Sequence, residues 1–286
     1  MKTNHLTIGI AVIVIAFAST FTSCKKDKNK PEEKDKDTSS ASDQSLASSI
    51  DNDMTSIADE AGRTYTLSSF KTSGVEGLLS TSCATVTIDS SAAPARTITV
   101  NFGTTNCLCN DGRYRRGAIA YSFTGKYRDS LTVITVTPQN YFVNDNQVTG
   151  YKTITNQGHN AANHLVYQIT ANMQIIKSGG TGTITWQANR IREWMTGENT
   201  LSWSDDMYSI TGTASGSDAA GNTFNSVITT PLIRDMAIGC RKHFVSGVLE
   251  HTPSGKATRY VDFGNGTCDD QAVVTINGVS YTFTLP

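Results

Sequence analysis

Apolar and polar residues alternate along most of the chain after Thr64, and this period of two predicts β-strands with one solvated face. The predicted strands are Cys83–Ile88, Arg96–Phe102, Gly117–Thr124, Leu131–Phe142, Val148–Thr155, Leu165–Ile176, Thr181–Arg192, Tyr208–Ala214, Thr223–Pro231, Phe244–Glu250, Thr258–Phe263, Ala272–Ile276 and Val279–Leu285. Short turns separate them, and Asn277-Gly278 is typical of a type I′ hairpin. Because short connections join antiparallel neighbours, the expected fold is all-β, an antiparallel meander or sandwich.

One segment near the N-terminus, residues 43–62, has helical periodicity instead. Its apolar residues recur at intervals of three or four and form one stripe: Leu46, Ile50, Met54, Ile57 and Ala61. Asp43 is the expected N-cap, and Gly62 is the residue expected to end the helix. We expect this helix to pack on the sheet of its own domain; binding to a partner is the alternative.

The chain begins with features of an export signal. A mostly apolar run from Leu6 to Phe21 follows Lys2, and its 16 residues are fewer than the ~20 that a membrane-spanning helix needs. The run ends in Phe21-Thr22-Ser23-Cys24, which resembles the lipobox of bacterial lipoproteins. The resemblance implies a signal peptide at 1–23, removed before Cys24, and a lipid such as palmitate on Cys24. A retained membrane anchor is the alternative.

Residues 24–42 are rich in lysine and acidic residues and poor in apolar ones. Such a segment buries too little apolar surface to offset the entropy of ordering, so we expect a disordered tether. The remaining residues, 63–286, are assigned to the β-rich domain.

Two parts of that domain, residues 83–124 and 240–286, repeat one order of features: cysteine, strand, turn, strand, Phe-Gly turn, cysteine. The duplication predicts the disulfides Cys83–Cys107 and Cys240–Cys268, which leaves Cys109 unpaired. Disulfides agree with an exported protein in an oxidising compartment.

Most of residues 83–286 resembles predicted envelope lipoproteins of Bacteroidota that have no assigned activity. The segments that carry the resemblance are 111–117, 125–129, 140–150, 182–186, 210–216 and the two cysteine units. None of these motifs is catalytic. The resemblance therefore implies an outer-membrane location and an all-β fold, and it implies no active site.

Composition and motifs exclude several classes of function. The formal net charge of −1 offers no electrostatic footprint for nucleic acid. Cys107-x-Cys109 lacks a second ligand pair, so no metal site is expected, and no cofactor motif is present. The scattered histidines form no recognisable Ser-His-Asp arrangement.

Two tryptophans provide the candidate binding site. Trp186, Arg190, Arg192 and Trp194 lie at even intervals, so they share a strand face if residues 181–195 are extended. If this face is exposed, it can stack on a sugar ring and pair with an acidic group; if it is inward, the tryptophans are core. The run Arg113-Tyr114-Arg115-Arg116 is either part of a basic patch or a solvated hairpin.

These observations predict a lipid-anchored envelope protein whose β domain is a binding or structural module. Its expected partners are the membrane, through the lipid, and a glycan or an envelope protein. The alternative is a secreted polysaccharide hydrolase, which needs a pair of carboxylates. The candidate carboxylates are Glu193, Asp205, Asp206, Glu250, Asp262 and Asp269.

Overall fold

The structure, a computed structural model, describes residues 35–66, 83–93, 95–200 and 202–286. The expected signal peptide, Cys24 and residues 24–34 of the expected tether lie outside these ranges. Residues Asp35 to Pro286 belong to one compact unit that contains both the helix and the sheet.

Helix α1 spans Ser39–Thr66 and is longer than predicted at both ends. It starts earlier because the Asp37 carboxylate accepts a hydrogen bond from the Ser39 backbone N–H at 3.0 Å. Asp43 as the N-cap is therefore wrong, and so is a disordered tether reaching residue 42. Gly62 does not end the helix either; it lies within it, where a Cβ would come within 2.7 Å of the Tyr127 ring.

All thirteen predicted strands are present, with bounds that differ by a few residues, and the all-β fold is confirmed. One further, very short strand, β3, was not predicted. The strands are β1 Thr85–Asp89, β2 Arg96–Asn101, β3 Cys107–Leu108, β4 Tyr114–Phe123, β5 Val133–Val143, β6 Asn146–His159, β7 Leu165–Ile176, β8 Thr183–Thr196, β9 Met207–Ser217, β10 Thr223–Asp235, β11 Ser246–Pro253, β12 Arg259–Asn265, β13 Gln271–Ile276 and β14 Val279–Thr284.

The described strands form a single antiparallel sheet in which neighbours in sequence are neighbours in space. The order runs from β1 to β14, and only β3 lies off this path, paired with β4. Of the two predicted architectures, the meander is therefore correct. Asn277 and Gly278, with φ of 51° and 76°, form the tight hairpin between β13 and β14.

Residues of α1 form hydrogen bonds with strands that lie far apart in the sheet. The sheet must therefore curve around the helix. These bonds join Tyr121 of β4 to the Met54 carbonyl, Lys152 of β6 to Asp51, Trp186 of β8 to Gln44, and His251 of β11 to Ser40. The polar side of the helix is buried as fully as its apolar stripe. The helix does pack on its own domain, but the sheet encloses it on all sides.

Both predicted disulfides, Cys83–Cys107 and Cys240–Cys268, are present. The two repeat units also share their local turn geometry. The Asn101 and Asp262 side chains accept hydrogen bonds from the backbone N–H of Gly103 and Gly264, at 2.8 and 2.9 Å. The phenylalanine between each such pair is buried.

We expect Gly117→Ala to destabilise the protein far more than Gly103→Ala. The two glycines have nearly the same φ, +82° and +80°, so both changes carry the left-handed cost of about 1–2 kcal/mol. At Gly117, however, the new Cβ would lie 1.9 Å from the Asn140 carbonyl oxygen, whereas at Gly103 nothing lies within 4 Å. Urea unfolding of both variants measures the difference, and equal losses of stability would contradict this packing of β4 on β5.

Candidate functional site

The predicted binding residues share one face of β8, as their spacing indicated, but that face points to α1. Trp186, Arg190, Arg192 and Trp194 are each at most 3% exposed. Trp186 Nε1 donates to the Gln44 side chain at 3.0 Å.

The two arginines also lie between the sheet and the helix. The Arg192 guanidinium lies 3.5 Å from the centre of the Tyr208 ring and 3.6 Å from the Asp59 carboxylate of the helix. The Arg190 guanidinium lies 5.9 Å from the centre of the Trp186 ring. The expectation of an exposed aromatic and basic face is therefore wrong, because the acidic side of the helix covers it.

The run from Arg113 to Arg116 is likewise not a solvated hairpin. Arg113 and Arg115 point inward and are buried, whereas Tyr114 between them is exposed. Of the three arginines only Arg116 reaches the surface, where its guanidinium stacks 3.8 Å from the centre of the Phe142 ring.

Two carboxylates compensate the buried Arg113, which directly precedes β4, and the buried Arg115 within it. Asp53 comes from the helix and Asp111 from the turn before the strand. Arg115 donates to both Asp111 oxygens, at 2.8 and 2.6 Å, and also to Asp53. Arg113 donates to Asp111 at 2.9 Å. Burial opposes ionisation of Asp111, but Arg115 and Arg113 outweigh it and hold the pKa of that carboxyl well below its usual range. The four side chains are each at most 3% exposed, so this is a buried structural ionic cluster.

Among the described residues, the cysteines provide no metal site. The grouping of Asp235, Cys240 and Cys268 has metal-like spacing, but both sulfur atoms are bonded to each other and cannot act as thiolate ligands. Cys109 is a buried free thiol, and burial raises its pKa. It is therefore a poor nucleophile.

The outer face of the sheet carries a groove that sequence analysis missed. It has a volume of about 620 Å³ and crosses β7 to β10. The floor is formed where four small inward-facing residues stand opposite each other in register: Ala171, Ala188, Ala214 and Ser226. These four residues also line the groove, although their side chains are buried.

Outward-facing amide and hydroxyl side chains line this groove. One row, in register across the strands, consists of Asn172, Gln187, Ser215 and Asn225. Tyr151, which is 54% exposed, stands directly opposite Asn172 and extends the row on β6. Asn189, Thr213 and Val227 form a second row, and no residue that lines the groove is charged.

Register between strands brings these residues together, and a single sequence does not reveal register. Each residue alone is an ordinary polar position of a solvated strand face. The sequence does contain one indication of the groove: small inner residues alternate with outer amide residues, as in Ala171-Asn172 and Gln187-Ala188.

No protein-family model, curated protein or solved structure matches the chain. Within the described residues, no helix has both the length and the apolar character needed to cross a bilayer.

His251 is a buried titratable group near the start of α1. Its two ring nitrogens lie 2.9 Å from the Ser40 hydroxyl and 2.8 Å from the Ser226 hydroxyl. Burial and the positive charge of Arg259 lower its pKa from 6.5 to about 4, although Asp218 opposes the shift. The ring is therefore neutral in the folded protein at neutral pH.

Because the unfolded chain binds this proton more readily than the folded one, we expect stability to fall as pH decreases from about 6.5 to about 4. One histidine contributes at most about 1.4 kcal/mol per pH unit. His251→Gln should lower that slope. Urea unfolding of the parent protein and of this variant across the pH range measures the slope, and equal slopes in the two would contradict the burial of His251.

Proposed function

We propose that the protein is a lipid-anchored envelope protein whose β domain binds a glycan in the outer groove. The observation that carries this proposal is the in-register row of amide and hydroxyl side chains beside the exposed Tyr151. The sequence that resembles a lipobox supports the anchor, and the likeness to Bacteroidota envelope lipoproteins supports an outer-membrane location.

The groove has the chemistry that sugar recognition requires. Amide side chains both donate and accept hydrogen bonds, which suits the hydroxyl groups of a sugar ring. Within the described part of the chain, the side chains of Asn172, Gln187 and Asn225 form no hydrogen bond to protein groups, so they are available to a ligand. Tyr151 presents an aromatic ring on which a sugar can stack.

The uncharged lining favours a neutral glycan over the acidic one that the buried arginines suggested. An acidic sugar would lose hydration in the groove without gaining an opposite charge. A hydrolase is not favoured, because none of the groove-lining residues carries a carboxylate and a glycosidase needs two.

Replacement of Cys24 by Ser should move the protein from the membrane fraction to the soluble fraction. Each acyl CH₂ buried in the bilayer contributes about 0.8 kcal/mol, so loss of the lipid removes the anchor. Lys26→Ser, two residues further on, is the matched control and should stay in the membrane. Membrane retention of Cys24→Ser, or a mature mass that includes residues 1–23, would refute the lipid anchor.

Replacement of Tyr151 by Ala should weaken glycan binding by about two- to twelvefold, since an aromatic contact is worth about 0.5–1.5 kcal/mol. The measurement is calorimetric titration with a panel of neutral and uronic-acid oligosaccharides. Tyr260→Ala is the matched control, because Tyr260 is similarly exposed, at 47%, and lies on β12, opposite Glu250 and Thr275 rather than next to the amide row.

A neutral oligosaccharide that binds the protein and Tyr260→Ala equally, but Tyr151→Ala more weakly, supports the proposal. Gln187→Ala tests the amide row in the same way. If no oligosaccharide binds, or if both tyrosine variants behave alike, the groove is not a glycan site and a structural or protein-binding role takes its place.

A further inference from the structure

A second, much smaller cavity lies inside the protein, between the helix and the end of β10. Its volume is about 10 Å³, close to the smallest that holds one guest of the size of a water molecule. Its polar lining consists of Ser45, Ser49, Arg234 and His243. Its apolar lining consists of Phe244, Phe263, Leu285 and Pro286.

Three polar atoms that line this cavity lack a protein partner. They are Ser45 Oγ, Arg234 Nε and His243 Nε2. Their residues are 3%, 2% and 6% exposed, so bulk water does not supply the missing hydrogen bonds. Ser49 differs, because its hydroxyl already accepts a hydrogen bond from Arg113 at 2.8 Å. An unsatisfied buried polar group is costly, and three around one cavity indicate a bound guest.

The charges around the cavity do not balance. Arg113 and Arg115 are compensated by the two carboxylates Asp53 and Asp111. Arg234 is as deeply buried, yet it forms no ion pair with any carboxylate in the described ranges. A buried cation without a counter-charge is destabilising, and a water molecule does not neutralise it.

The titration of the lining residues agrees with a positive potential at this place. Burial, followed by repulsion from Arg113, lowers the pKa of Arg234 to about 9, although Asp53 and Asp111 oppose the shift. Burial together with Arg113, Lys242 and Arg234 lowers the pKa of His243 to about 3, against a weak opposing effect of Asp270. His243 is therefore neutral and can donate a hydrogen bond from Nε2.

We propose that this cavity is a binding site for a small monovalent anion of the chloride class, held by Ser45, Arg234 and His243. Each of the three side chains can donate one hydrogen bond, so a single anion satisfies all three atoms and supplies the missing negative charge. The site stabilises the contact between α1 and the strand β10. It is independent of glycan binding in the outer groove.

Bromide is the direct probe, because it resembles chloride and scatters anomalously. Crystals of the protein grown in sodium bromide should show an anomalous peak within hydrogen-bond distance of Ser45 Oγ, Arg234 Nε and His243 Nε2. An ordered water without anomalous signal at this position, or an empty cavity, would overturn the proposal.

Thermal unfolding provides the test in solution. Sodium chloride should raise the melting temperature above that in sodium gluconate of equal concentration, and the rise should saturate, because gluconate is too large for the cavity. Arg234→Met should abolish the chloride-dependent rise. Arg190→Met is the matched control: Arg190 is also buried, its terminal nitrogens have no hydrogen-bond partner, and it does not line the cavity.

Ser45→Ala keeps the experiment decisive if Arg234→Met does not fold. It removes one donor, so the apparent chloride affinity should fall about fivefold, the worth of one hydrogen bond. An equal response to chloride and gluconate, or the same chloride-dependent rise in Arg190→Met and the cavity variants, would show a general salt effect and overturn the proposal.

Discussion

The ion pairs between the acidic helix and the arginines inside the sheet are the interaction on which the rest of the structure depends. A helix rich in serine and aspartate has little apolar surface, so its burial gains little hydrophobic free energy to offset the desolvation of its polar groups. A buried carboxylate is tolerated only when it is paired and hydrogen-bonded. Asp53, held by Arg115 and Arg113, meets that condition at the centre of the helix.

The same pairing decides which face of the sheet meets solvent. With Arg190 and Arg192 committed to the interior, the alternate residues of β8 face outward, among them Thr183, Thr185, Gln187 and Asn189. Where the inner residues are small, as at Ala188 and Ala214, the outer face becomes a groove lined by amides. The polar outer surface and the charged interior are thus two sides of one alternating pattern.

Local features of the sequence were sufficient for the strands, the Asn277-Gly278 hairpin and both disulfides, because periodicity, turn chemistry and duplication depend on neighbouring residues. The orientation of the strand faces was not predictable in this way. The even spacing of Arg190 and Arg192 left both an exposed and an inward face open, although arginine is rarely buried without a partner. The acidic partner of Arg192, Asp59, is remote in the sequence, so residues of the strand do not reveal it. The groove depends on the register between several strands. The alternation of residues along one strand does not determine that register.

The most direct test compares two ion pairs that differ in burial. Asp53 and Arg115 are each about 1% exposed, whereas Asp37 and Lys256, 2.7 Å apart at the turn between β11 and β12, are 43% and 32% exposed. Asp53→Asn should lower the free energy of unfolding by more than about 3 kcal/mol, because it leaves a buried guanidinium partly uncompensated. Asp37→Asn should cost less than about 1 kcal/mol. If urea unfolding shows that the two substitutions cost the same, the acidic side of the helix is not enclosed by the sheet.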